Sequence, residues 1–231
     1  STAGLTPFLD DLATGGILFE NAQSVAPITL PAHTSMMTGL SPIKHGVRNN
    51  GMFVLADEVE TLAEVLSDNG YATGAFVSAQ VLVRRYGLDQ GFDVYDDDLS
   101  RGRKVGQTVV PSRRGNLTLE AATAWLATVP REQPVFLWLH LYDPHAPYDP
   151  PPDFRARFPQ DPYGGEIAFA DSVVGDLVAT LEKSGRLSDT VLTVLGDHGE
   201  GLGEHGEATH GFLLHQATIR VPWLVRTPDR K

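Results

Sequence analysis

The chain has 231 residues, no cysteine and a formal net charge of −11. That length allows one sizeable core, while the missing thiols exclude disulfides and cysteine metal sites, and the acidic balance excludes general nucleic-acid binding, which needs a basic face. No apolar run reaches the ~18 residues that a membrane-spanning helix needs.

In chain order, "PFLDDLAT" reads as a first helix, with Thr6 as N-cap, Pro7 at the first helical position and Gly15-Gly16 as the stop. "ILFENA" reads as a short strand. A helix opens at Pro31 in "PAHTSMMTG" and closes on its glycine. "VETLAEVLSDNG" is predicted as an amphipathic helix with Leu62, Val65 and Leu66 on its apolar face, and "YATGAFVS" as a buried strand. Residues 96–116 mix charge blocks with turn residues and read as a loop. "LTLEAATAWLATV" is a helix, "PVFLWLHLY" an apolar strand, and "YDPHAPYDPPPDFRARFPQDP" a proline-rich loop. A long helix follows, with Ile167, Ala170, Val174, Leu177, Val178 and Leu181 on one face. "TVLTVLGDHGE" is a buried strand running into a polar turn, and "IRVPWLVR" is a last strand.

Strands alternating with helices at this spacing predict an α/β fold, a mostly parallel sheet sandwiched by helices. No internal repeat or second domain is evident, so residues 1–231 are read as one domain.

Ligands of such sheets bind beyond the carboxyl ends of the strands. Three polar clusters fall there. In "GDHGE", Asp197 and His198 leave a buried strand together, and a carboxylate with an imidazole is a common donor pair for a divalent ion. His205 and His210 follow in the same glycine-rich stretch. A capping aspartate beside an exposed histidine is the plain structural alternative. In "DPHAP", His145 sits in a proline-stiffened loop, where it serves as an oxyanion donor, a leaving-group acid or a solvated surface residue. Thr29 lies at or just before the helix that Pro31 opens. Backbone N–H groups and the helix dipole favour an anion there, and a metal-bound hydroxyl can become a nucleophile.

The segment "TLPAHTSMMTGLSPIKHGV" resembles the nucleophile segment of the alkaline phosphatase superfamily, in its sulfatase-like branch. "TVLTVLGDHGEGLGEHGEATHG" with "IRVPWLVR" resembles that branch's second metal motif and next strand, and "HLYDPHAPY" its His-x-Pro loop. The landmarks come in the expected order over nearly the whole chain. The resemblance implies an alkaline phosphatase-like fold and one or two divalent ions (Zn, Mn or Ca) held by Asp197, His198 and Thr29. It implies that His145 handles substrate or leaving group. His210 matches a sulfatase lysine that contacts the ester anion, or a metal-binding histidine of two-metal relatives.

The match has departures. Sulfatases carry Cys (or Ser)-x-Pro-x-Arg and oxidise the first residue to formylglycine; here Thr29-Leu30-Pro31-Ala32-His33 stands there, and threonine cannot form that aldehyde hydrate. The usual Gly-Lys-Trp-His segment is replaced by "GAFVSAQVLVRR". The segment also resembles the nucleotide pyrophosphatase/phosphodiesterase branch, whose nucleophile is threonine in a Thr-Phe-Pro-Asn-His frame. That likeness implies Thr29 as nucleophile and Asn50 as the holder of a non-bridging oxygen, with Asn49 as its competitor. His45 is expected to be structural. Family members open with a strand ending in metal-binding aspartates, whereas this sequence opens at the following helix, and Asp10 and Asp11 do not substitute. The expectation is a fragment truncated at both ends.

The expected function is metal-dependent hydrolysis of phosphate or sulfate esters through a covalent intermediate on Thr29. The rivals are a phosphoryl head-group transferase acting on lipid or glycan, and a non-catalytic binder of anionic glycans using the five basic residues between positions 100 and 116. The resemblance suggests a periplasmic or extracellular location, with an exported or membrane-associated parent. Oligomeric state is not legible.

Overall fold

The computed structural model describes residues 4–100, 102–105 and 108–228. Helix α1 (Pro7–Thr14) leads into β1 (Ile17–Phe19). Helix α2 (Thr29–Thr38) is followed by short helix α3 (Pro42–His45) and by α4 (Leu62–Asp68). Strands β2 (Ala72–Phe76) and β3 (Val94–Asp96) come next, then β4 (Arg103–Val105) and β5 (Thr108–Val110). Helix α5 (Gly115–Leu126) precedes β6 (Val135–Leu139), short α6 (Pro152–Arg157) and long α7 (Pro162–Lys183). The chain then runs through β7 (Leu192–Leu195), short α8 (Gln216–Ile219) and β8 (Trp223–Arg226).

The α/β expectation holds, with helices packed on a parallel sheet. Strands β3, β2 and β6 pair in parallel, Gly74 lying opposite both Val94 and Leu137. Strands β1, β8 and β7 form a second, antiparallel sheet. Among the described residues β6 ends the first sheet and β7 ends the second, and they do not pair with each other. No described helix is long and apolar enough to cross a membrane.

Helix α7 joins two cores. Phe169, Val173, Leu177 and Leu181 recur every fourth residue and meet Leu119 and Leu126 of α5. Val174 and Val178 lie on the adjacent stripe and meet Leu12, Leu192 and Leu224. The sequence pattern merged these two stripes into one face. A third core gathers Leu30, Met37, Val77, Leu82 and Tyr95 beneath α2. Helix α5 seats on β2 through Gly74, where an added Cβ would lie 2.7 Å from the Trp125 ring.

Four local expectations are corrected. Thr6 does not cap α1; the buried carboxylate of Asp171, from α7, accepts the N–H groups of Leu9 (2.9 Å) and Phe8 (3.1 Å) instead. Helix α4 starts at a capping box between Thr61 and Glu64, yet Leu62 and Val65 are exposed and Ala63 is the buried side chain. The backbone of Gly91 approaches Ala63 and Glu64 so closely that this face, not the apolar one, turns inward. The proline-rich loop contains α6. The expected loop at 96–116 contains the antiparallel hairpin β4–β5, whose three-residue strands are too short to show a period.

Nor are the basic residues of that segment all solvated. Arg113 is buried, donating to Asp96 (2.7 Å), Thr118 (3.1 Å) and the Val77 carbonyl (3.1 Å). Arg114 holds Asp149 at 2.8 Å. Removing one partner of a buried ion pair strands the other. Arg113→Ala is therefore expected to cost about 3 kcal/mol, read as a lower urea midpoint at unchanged slope; a change under about 0.5 kcal/mol would place the pair among surface bridges.

Candidate active site

The candidate residues meet where β6 and β7 end and α2 begins. Thr29 is the first residue of α2, two residues before the predicted start, and is buried. Its Oγ1 lies 3.2 Å from His198 Nε2. His198 Nδ1 faces the Gly199 carbonyl at 2.8 Å. A carbonyl only accepts, so Nδ1 carries the proton and Nε2 turns a lone pair toward Thr29. Asp197 Oδ2 lies 3.3 Å from the same Nε2 and 3.6 Å from His33 Nδ1. Burial pushes the Asp197 carboxyl up, but His33, His198 and His140 and the His198 N–H outweigh it and hold the group below its usual range.

Asn50 is brought to the site, and Asn49 is exposed. The Asn50 Oδ1 accepts the Leu30 N–H at 2.8 Å, which leaves its side-chain NH2 as the donor facing away. This corrects one expectation. The start of α2 is not an open cradle of amides, because Leu30 donates to Asn50, Pro31 has no N–H and Ala32 donates to Ile28. That leaves the Thr29 N–H and the side chains to meet an anion.

His145 follows β6 in a loop with cis bonds at Asp143-Pro144 and Ala146-Pro147. Its Nδ1 faces the Ala146 carbonyl at 2.6 Å and its ring stacks on Tyr142 at 4.2 Å. Burial lowers its pKa. The loop hangs on Glu166 of α7, which is fully buried and accepts the N–H groups of His145 and Asp149, each at 2.9 Å. Glu166→Ala leaves both donors without that carboxylate. We expect a loss of about 3 kcal/mol, measured by urea denaturation; an unchanged midpoint would mean water replaces the carboxylate without cost.

His210 completes the cluster. Its Nδ1 lies 2.9 Å from Glu200 Oε1, and its ring is 4.1 Å from His198 and 5.1 Å from His145. His205 is not part of it; that ring is exposed and stacks on His215 at 4.0 Å. His45 ties α2 to α3 through Ser35 (2.9 Å) and the Val47 N–H (3.1 Å).

Three residues of the site escaped the sequence reading. His140, just past β6, accepts the Ser78 N–H at Nδ1, and burial beside His33 pushes its pKa down to about 3. It is a neutral imidazole, 5.0 Å from the His33 ring. His33 itself, placed from the sequence one helical turn past Thr29 and at the sulfatase arginine position but given no role, donates from Nδ1 to the Thr29 carbonyl at 2.9 Å, and burial lowers its pKa. Glu200 had a signal, since it stands inside "GDHGE", but nothing in the sequence pairs it with a histidine ten residues on.

Among the described residues no group of three His, Asp or Glu side chains is arranged to hold a metal ion. Part of a donor set is present. Asp197 Oδ2 and His198 Nε2 face each other with lone pairs at 3.3 Å, an arrangement that a shared cation relieves, and Thr29 Oγ1 adjoins both. These atoms fit two or three positions of a divalent sphere, which needs further oxygen donors.

A family model described as Sulfatase matches residues 2–231. The chain belongs to the sulfatase family. It is similar to the ulvan-active sulfatase of Formosa agariphila, 26% identical over 96% of this chain and 51% of that protein. It is also similar to human arylsulfatase A, 26% identical over 84% of this chain and 47% of that protein. This sulfatase-family chain thus spans about half the length of the curated relatives it matches. Its fold matches that of i-CgsB in complex with a neocarrahexaose, with TM-score 0.78, 22% identity, and 97% and 60% of the two chains covered. It also matches the phosphonate monoester hydrolase SpPMH from Silicibacter pomeroyi, with TM-score 0.72, 20% identity, and 99% and 65% covered. At these identities the structures speak for the alkaline phosphatase-like fold.

Proposed function

We propose that this sulfatase-family chain is the core of a metal-dependent hydrolase of sulfuric esters, with Thr29 as nucleophile. The observation that carries the reading is the convergence of Thr29 Oγ1, His198 Nε2 and Asp197 Oδ2 within about one hydrogen-bond length, at the carboxyl end of β7. Asp197 and His198 would hold the ion. When bound, a divalent cation lowers the pKa of an adjoining hydroxyl and offsets charge on the ester oxygens. The Thr29 hydroxyl gives up its proton to solvent, its oxygen attacks sulfur in line, the bond from sulfur to the ester oxygen breaks, and the departing oxygen takes a proton from water or from the imidazolium form of His145 or His210. Water then hydrolyses the ester on Thr29. Asn50 offers its side-chain NH2 to a non-bridging oxygen while its Oδ1 fixes the start of α2.

The remaining metal donors fit a strand between β6 and β7. Among the described residues each of these ends its own sheet, and their carboxyl ends meet at His33, with His140 on one side and Asp197 on the other. A strand paired with both would bring its last residues to the same point, as the resemblance to the alkaline phosphatase superfamily implies for acidic residues. An exported location accords with the same resemblance.

A second reading, hydrolysis of phosphate or phosphonate esters, is favoured by Thr29 itself. A threonine hydroxyl supports direct displacement and cannot supply the aldehyde hydrate by which sulfatases release sulfate. The deciding experiment supplies Zn, Mn or Ca to a chain extended to include the strand, and offers aryl sulfate, aryl phosphate, aryl phosphonate and bis-aryl phosphate. Dominant sulfate turnover supports the first reading, dominant phosphoryl or phosphonyl turnover the second. Tight binding of anionic glycan without turnover of any ester would overturn both.

A further inference from the structure

Glu200 lies two residues beyond His198, with a side chain only 7% exposed. Burying a carboxylate is costly unless it is paired. Its observed partner is His210, whose Nδ1 lies 2.9 Å away. The backbone enforces this meeting. Gly201 donates to the Thr209 carbonyl at 2.7 Å, closing the loop directly beside both residues, and a Cβ on Gly201 would lie 2.5 Å from that same oxygen. On the other side, the buried Tyr148 hydroxyl neighbours the same carboxylate, and the loss of solvent together with that charge pushes the phenol's pKa up. The imidazole of His210 sits between the rings of His198 and His145. A neutral imidazole there has two tautomers and two flipped orientations, and only an acceptor at Nδ1 selects one.

We infer that Glu200 is a positioning residue, which holds His210 by Nδ1–H so that Nε2 faces the ester between His145 and Thr29. The inference rests on the proposed hydrolase reading. It assigns Glu200 no contact with substrate: its effect passes entirely through His210. A residue that merely stabilises the loop would act independently of His210, and that difference can be measured.

The experiment is a double-mutant cycle on the metal-loaded, strand-extended chain, using the best ester of the panel, with Thr29→Ala alongside. Glu200→Ala is expected to lower kcat/KM by about 10–100-fold, mostly in kcat. Glu200→Gln keeps an acceptor at the same place and should recover to within several-fold of the parent. In a His210→Ala background, Glu200→Ala should cost nothing further. Multiplying losses in the double variant, or a glutamine as damaging as the alanine, would overturn the positioning role. A reading independent of turnover comes from imidazole 15N NMR. His210 should carry its proton on Nδ1 in the parent and lose that preference in Glu200→Ala. A parent protonated on Nε2 alone would also overturn it. If Thr29→Ala turned ester over at the parental rate while the NMR result held, the hydrolase mechanism would fail and the geometry of the pair would stand.

Discussion

Thr29→Ala is expected to lower kcat by at least ~10³-fold on whichever ester the parent prefers, because on the proposed mechanism it removes the attacking atom and not a binding contact. Folding should be nearly untouched. The Thr29 side chain has one recorded polar partner, His198, and the helix that it opens is held from elsewhere, by Asn50 on Leu30 and by Thr34 on the Leu30 carbonyl. The measurement is a steady-state rate with melting temperature in parallel. Serine at the same place keeps the oxygen and should recover part of the rate, whereas alanine should not. Equal rates in the alanine variant and the parent would show that another group attacks.

Asp197→Asn should be nearly as severe, for a different reason. The parent carboxylate faces the His198 lone pair at 3.3 Å, and the amide offers neither the charge nor the second equivalent oxygen. We expect metal affinity to fall by at least ~100-fold and turnover to fall with it. Binding can be followed without activity. The parent should gain melting temperature as Zn, Mn or Ca is added, and the variant should gain little at the same concentration. A variant with the parental metal response would remove Asp197 from the donor set. Chelator should abolish parental turnover, and added metal should restore it.

How far these residues could be read in advance varied with how local their roles are. Thr29, Asp197, His198, His145 and His210 stand at strand and helix ends that periodicity locates well, and all five lie in one cluster. His205 looked equivalent to His210 in a glycine-rich stretch, but the turn carries it out to His215. His140 was overlooked because it continues an apolar strand, where a lone histidine carries no pattern. Asn50, preferred over Asn49 from the sequence, does lie at the start of α2, and its oxygen proves to be spent on the Leu30 N–H.

The sequence by itself determined the alternation of strands and helices, since apolar period and punctuating Gly and Pro are properties of adjacent residues. It also picked out the short segments whose polar residues meet in one cluster. Only the tertiary structure decided which carboxylate caps α1, which face of α4 turns inward, and that α7 serves two cores. It alone decided that Arg113 and Glu166 are buried struts and that Glu200 grips His210. Each of these depends on groups distant in the chain and close in space, and burial, which makes an unpaired charge or N–H costly, is set by the whole fold and not by neighbours in sequence.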